Sequence, residues 1–186
     1  MKRSGSRITF AIYAAFFAGC SGGGSSNTVA PTNVTPTPPP AATSCTGNHF
    51  INVVAASDGG GSQAGQRPAQ AIDDNLDPAS SWRSPGNAVS LTLDFGARYL
   101  VREVAIAWFE GQTRVARFSV LSSENGSVFS PLLSDVESSG ETQLFERYPV
   151  SATPARYLRI ENFGNSLSVD NGIIEGAALG CALDAP

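Results

Sequence analysis

The sequence predicts an all-β fold, an antiparallel β-sandwich in a single domain, from three observations: period-two hydrophobic alternation, turn residues between the alternating runs, and a cysteine at each end. Val89, Leu91, Leu93 and Phe95 alternate with Ser90, Thr92 and Asp94, the period of a strand with one buried face. Val104, Ile106 and Trp108 alternate with Ala105, Ala107 and Phe109, a nearly unbroken apolar run that predicts a central strand covered on both sides. Residues 118–121, 157–160 and 173–179 supply further strands between clusters of Gly, Ser, Asn and Pro, which favour turns. No stretch carries a long helical period. Many short strands with stapled ends point to a sandwich.

The N-terminal residues set the compartment. Lys2, Arg3 and Arg7 precede an apolar stretch at residues 8–18, much shorter than the roughly 20 residues that cross a bilayer, so residues 1–19 read as a signal peptide. The stretch ends in Phe17-Ala18-Gly19-Cys20, which resembles the lipobox of bacterial lipoproteins, with Phe17 where Leu is usual. That resemblance implies lipidation of Cys20, and Ser21 in place of Asp implies the outer membrane. Residues 20–44 are mostly Gly, Ser, Thr, Pro and Ala without a charged side chain, a tether of coil and polyproline II segments. Residues 45–186 are then one domain, too few for two.

Three cysteines are an awkward number for an exported chain unless one serves another purpose. With Cys20 lipidated, Cys45 and Cys181 are left to form a disulfide across the domain, the alternative being two free thiols. Without Lys2, Arg3 and Arg7 the formal charge falls from -4 to -7, and the rest of the chain has arginine but no lysine. An acidic surface excludes nucleic acid and adhesion by bulk positive charge. An anionic ligand would need a few placed arginines, whose planar forks suit carboxylates.

The order of landmarks carries a resemblance. Ala71-Ile72-Asp73-Asp74-Asn75, Trp82, Leu91-Thr92-Leu93-Asp94-Phe95-Gly96, residues 122–129, Ala155-Arg156-Tyr157-Leu158-Arg159-Ile160, and Glu175 before Gly180 resemble the discoidin or coagulation factor 5/8 type C family. That family includes the family 32 carbohydrate-binding modules and implies a discoidin-like jelly roll. Residues 104–114, which end in Trp108-Phe109-Glu110-Gly111-Gln112-Thr113-Arg114, and Glu161-Asn162-Phe163-Gly164-Asn165 are similar to the branch appended to bacterial alginate lyases. Here Glu110 replaces a Lys, Gln112 an Asp, and Asn162-Phe163 a Gly-His pair.

The resemblance implies a non-catalytic module that binds a polysaccharide, an acidic one such as alginate on the strength of that branch. Its ligand residues would be Arg83, Glu110, Gln112, Arg114, Asn162, Phe163 and Asn165, with Phe163 a platform in a turn and Asn171 a further hydrogen-bonding group. The bland reading of the asparagines is turn chemistry, and that of Arg114 is an ion pair with Glu110. Trp82 and Trp108 read as core rather than as sugar platforms. The resemblance also implies a structural calcium site from Ile72, Asp74, Asn75, Asp77 and Glu175, a donor set of hard oxygens. Discoidin sandwiches also bind proteins, so an adhesion module is the competing reading. A divergent lyase is the third, using Tyr148, Tyr157 and Arg114, since the only histidine, His49, lies at the domain edge.

Overall fold

Two strands of 20 residues each organise the domain, and both pass through the two layers of the sandwich. The computed structural model describes residues 45–183, so Cys20, the signal segment and the tether lie outside the described residues. In chain order the elements are β1 (His49–Phe50), β2 (Ala55–Gly59), a 3-10 turn at Pro68–Ala71, β3 (Trp82–Pro85) and β4 (Val89–Trp108). There follow β5 (Ala116–Ser123), β6 (Ser130–Glu137), β7 (Glu146–Asn165) and β8 (Asp170–Ala182). All pairings are antiparallel and run in the order β1-β8-β4-β7-β5-β6, with β2 added to β4 and β3 to β8.

The strands expected at residues 89–95 and 104–109 are one strand. Between them the register shifts from Asp94 to Tyr99, and Gly96 sits at φ 72° in the left-handed region. Turn chemistry there bends a continuous ladder instead of ending it, as a bulge does. The first half of β4 pairs with β2 and the second half of β7, and the second half of β4 pairs with β8 and the first half of β7. β7 accommodates Pro149 and Pro154 because residues before Tyr157 have β4 on one side and no β5 partner on the other. A proline lacks the amide that only a doubly paired strand requires.

Both halves of β4 bury their alternating residues in one core. Val89, Leu91, Leu93 and Phe95 from one half meet Val104, Ile106 and Trp108 from the other, together with Trp82, Phe118, Leu158 and Ile160. On the opposite face of the second half, Ala105 packs with Ala177, Leu179 and Phe145, which is the double coverage the apolar run predicts. Both tryptophans are core: Trp82 is 0% and Trp108 1% exposed. Each indole N–H has a partner, as buried indoles require. Trp82 Nε1 donates to Asp58 Oδ2 at 3.1 Å and Trp108 Nε1 to Tyr148 Oη at 3.0 Å.

Cys45 and Cys181 are bonded, with Cα atoms 5.9 Å apart. The link ties the start of the domain to the end of β8, where β1 alone contributes only two paired residues. Arg102 fastens the same end, its guanidinium donating to the carbonyls of Cys45 at 3.0 Å and Gly47 at 3.3 Å.

Candidate functional site

At the end of the sandwich away from the disulfide, β4 emerges from the core into a tight turn. The amide of Gly111 donates to the Trp108 carbonyl, and those of Thr113 and Arg114 donate to the carbonyl of Glu110. Glu110 sits at φ 53°, in the left-handed region that a non-glycine residue seldom adopts. Gly111 is obligatory for space, because a Cβ there would lie 2.4 Å from the Thr142 carbonyl oxygen. This strained turn flips the chain, so that Phe109, out of phase with the buried Trp108, stands half-buried at the surface.

Two arginines flank the Phe109 ring. Arg83, from β3, has its guanidinium carbon 4.2 Å from the ring centroid, and Arg114, from the far side of the turn, has its own at 6.0 Å. The stacking is a cation–π arrangement that holds the flat cations in place without neutralising them. Arg114 also pairs with Glu110, Nη2 to Oε2 at 2.5 Å, while its buried Nε has no hydrogen-bond partner. The ion pair with Glu110, the bland reading of Arg114, is therefore formed. Arg83 has no carboxylate within 4.0 Å among the described residues. Gln112 is exposed on the same turn. The cleft that joins Phe109 and Arg114 to Asp170 and Gly172 encloses only about 10 Å³, so a ligand would lie across the group, not within it.

The other expected ligand residues have different roles. Asn165 accepts from the amides of Leu167 and Ser168 and donates to the Asp170 carbonyl at 2.6 Å, so its side chain shapes the loop after β7. Asn171 donates to the carbonyls of Ser84, Gly86 and Val169 and accepts from the Gly164 amide. Asn162 is buried and donates to the Ile160 carbonyl. The amides of Asn165 and Asn171 shape turns, as in the bland reading, and that of Asn162 is spent within β7. Phe163 lies on β7, not in a turn, and lines a separate cleft on the flank with Arg117 and Phe118. Phe109 is the residue that sequence reasoning left out of the site. Its signal is there: the only large aromatic in the outward phase of the apolar run, next to a Glu-Gly turn.

The acidic loop that follows the 3-10 turn is held by its own side chains. Asp73 Oδ1 accepts from the Asn75 amide at 3.0 Å, Asn75 Oδ1 from the Asp77 amide at 3.0 Å and Asp77 Oδ1 from the Ala79 amide at 2.9 Å. Among the described residues no three His, Cys, Asp or Glu side chains converge as metal ligands. Glu175, on β8, is 5% exposed, and its Oε2 is buried without a partner. Burial, and then the charges of Asp73 and Asp74, push its carboxyl up to about 7. With Ile72 and Asp74 it lines a cleft of about 400 Å³ walled by Phe50 and Phe145.

The residues of the lyase reading are not assembled. The Tyr148 hydroxyl is tied into the core between Trp108 and Glu146, and burial raises its pKa. Tyr157 lies against Gly126 and stacks with Arg156, and Arg114 is at the Phe109 turn.

The family model for the F5/8 type C domain matches residues 52–173. Among solved structures, the chain is similar to a truncated AlyQ with CBM32 and alginate lyase domains, at 32% identity and a TM-score of 0.67 over 75% of this chain and 35% of that one. It therefore spans about a third of that protein. It also matches the CBM32 of AlyQ in complex with 4,5-unsaturated mannuronic acid, at 31% identity and TM-score 0.65, over 74% of this chain and 99% of that one. A pectin-binding carbohydrate-binding module, 22% identical with TM-score 0.65 over 73% of this chain and 96% of that one, shares the fold. No curated protein sequence matches the chain.

Proposed function

The chain belongs to the F5/8 type C domain family, and from that premise we propose that it is a carbohydrate-binding module that holds an acidic polysaccharide at the Arg83–Phe109–Arg114 group. The observation that carries this reading is the pair of guanidinia beside one half-buried aromatic ring. The Phe109 ring, with Arg83 stacked on it, holds the cations in place, and a uronate presents a carboxylate that suits the planar fork of an arginine. Arg83 has no acidic partner among the described residues and is free to take that carboxylate. Arg114 exchanges or shares its bond to Glu110, an exposed-rim pair of small net worth. Gln112 adds an amide for hydroxyls. The relative bound to 4,5-unsaturated mannuronic acid supports a uronate as the sugar.

The test is titration with oligouronates. Phe109→Ala and Arg83→Ala are expected to weaken binding by roughly tenfold or more each, about 1.4 kcal/mol, with little change in melting temperature. Arg114→Lys is expected to lose several-fold, because lysine keeps the charge and loses the fork. Binding unchanged in all three variants removes the site. An adhesion module would instead present a broad apolar patch there, and would bind a protein with no competition from oligouronate.

We further propose a structural calcium ion closed by Glu175. Support comes from the buried, unpartnered Oε2 of Glu175 facing Asp73 and Asp74, an arrangement of negative charge that a dication relieves. Asp74, the second Asp77 oxygen, Asn75 and the Ile72 carbonyl are the further donors. Calcium is expected to raise the melting temperature by mass action, and Glu175→Gln to abolish that response while leaving the chelated protein no less stable. A melting curve indifferent to chelator refutes the ion.

The sequence at Cys20 supports a third element, lipidation and a place in the outer membrane of the cell envelope. Cys20→Ala is expected to abolish fatty-acid labelling and release the protein from the membrane fraction. Equal label in both proteins rules this out.

A further inference from the structure

We propose that the domain has a second sugar subsite, on the flank formed by β5, β6 and the end of β7, which takes the hydroxyl edge of a pyranose further along the same polysaccharide chain. The inference rests on reading Arg83, Phe109 and Arg114 as the first site, and it changes what the module recognises: an internal stretch of chain instead of one sugar.

A cleft of about 530 Å³ opens on this flank between Arg117, Asp135, Glu137 and Phe163, with the fully buried Phe118 as its floor. It does not stand alone. A neighbouring hollow of about 400 Å³ shares Arg117 and Glu137 with it and reaches Asn165 and Ser166. Asn165 in turn borders the small cleft at Phe109 and Arg114. The three hollows are linked through these shared residues. Arg114 and Arg117 are three positions apart in the chain, so their Cα atoms are at most roughly 10 Å apart.

The polar groups of the flank are open. Arg117 and Glu137 are cross-strand partners on β5 and β6, yet their charged ends do not approach within 4.0 Å, and both residues are exposed. Asp135 is held at φ 51°, a left-handed conformation in a stretch where the β5–β6 register shifts, and its amide is anchored by Ser119 Oγ at 3.1 Å. Strain of this kind in a non-glycine residue persists where the surroundings enforce it, and it is concentrated at binding sites. One aromatic ring, one guanidinium and two carboxylates make a set that grips a pyranose by face and hydroxyls. Paired carboxylates accept from a diol and repel a uronate carboxylate, so the two subsites differ: the first reads the acid, the second the hydroxyl edge.

The experiment is calorimetric titration of the full chain with a series of oligouronates from di- to octasaccharide. Wild-type affinity is expected to rise by roughly tenfold or more from the disaccharide to the longer members, about 1.4 kcal/mol. Arg117→Ala and Phe163→Ala should each flatten that rise and leave disaccharide affinity unchanged. Arg117 is exposed, so its variant keeps the test independent of folding. No rise with length in wild type, or the full rise in both variants, overturns the second subsite. Disaccharide binding that survives Arg83→Ala and Arg114→Ala together overturns the first-site reading instead, and a wild-type protein that binds no member of the series overturns both.

Discussion

Replacing Cys45 and Cys181 together with alanine is expected to cost about 5 kcal/mol of stability, the chain-entropy value for so long a loop. The bond closes a span of 136 residues, nearly the whole described domain. In its absence the unfolded chain regains the freedom of its ends, while the native state keeps almost every contact, because β1 has only two pairs with β8. Domains of this size hold a total of about 5–15 kcal/mol, so the loss is a large part of what is available. Urea unfolding with and without a reductant measures it. A midpoint indifferent to reduction would mean that the denatured chain is not constrained by the link.

Trp108→Ala is expected to cost about 3–5 kcal/mol and to abolish ligand binding along with it. The indole is 1% exposed, its ring centroid 4.7 Å from that of Phe118, which in turn lies 5.0 Å from Tyr148. Its removal opens a cavity at the point where β4 turns outward, and the carbonyl of Trp108 is the acceptor that starts the turn carrying Phe109 and Arg114. Tyr148→Phe provides the finer comparison. It keeps the ring and strands the indole N–H, at a cost of about 1–3 kcal/mol for a buried unpaired donor. Thermal unfolding of both variants beside oligouronate titration separates packing from binding. Equal binding by folded Trp108→Ala would show that the turn holds its shape without the indole.

The fold was legible wherever side chains alternate across a buried face. Leu91, Leu93 and Phe95, then Val104, Ile106 and Trp108, mark their strands because burial selects one phase of the pleat. β6 and the first half of β7 were not legible, because Ser130-Pro131-Leu132 and Tyr148-Pro149-Val150 lie where strands are half solvated and prolines are tolerated, leaving no clean period. The disulfide was legible from arithmetic on three cysteines. At the candidate site, Arg114 is nominated by the position it shares with the lyase-associated branch and Arg83 by its place beside Trp82. The stacking of both on Phe109 depends on β3 and the β4 turn meeting in space, which no local pattern records. Asn165 and Asn171 show the opposite failure. An asparagine that caps its own loop and one that faces a sugar have the same sequence signature, and only the hydrogen-bond partners separate them.

The position of the disulfide also decides how the domain carries load. Tension applied through residues before Cys45 enters β8 at Cys181 through the covalent link, opposite Leu100, while a ligand would pull at the Phe109 turn beside the other end of the same ladder. From Leu100 to Trp108 that ladder is roughly 27 Å long. The two points of traction therefore act along the strands, so the β4–β8 hydrogen bonds resist in shear, many at once, and do not unzip one after another. Load between these two points would meet the sheet in that direction, with the short β1 strand bypassed by the sulfur bridge.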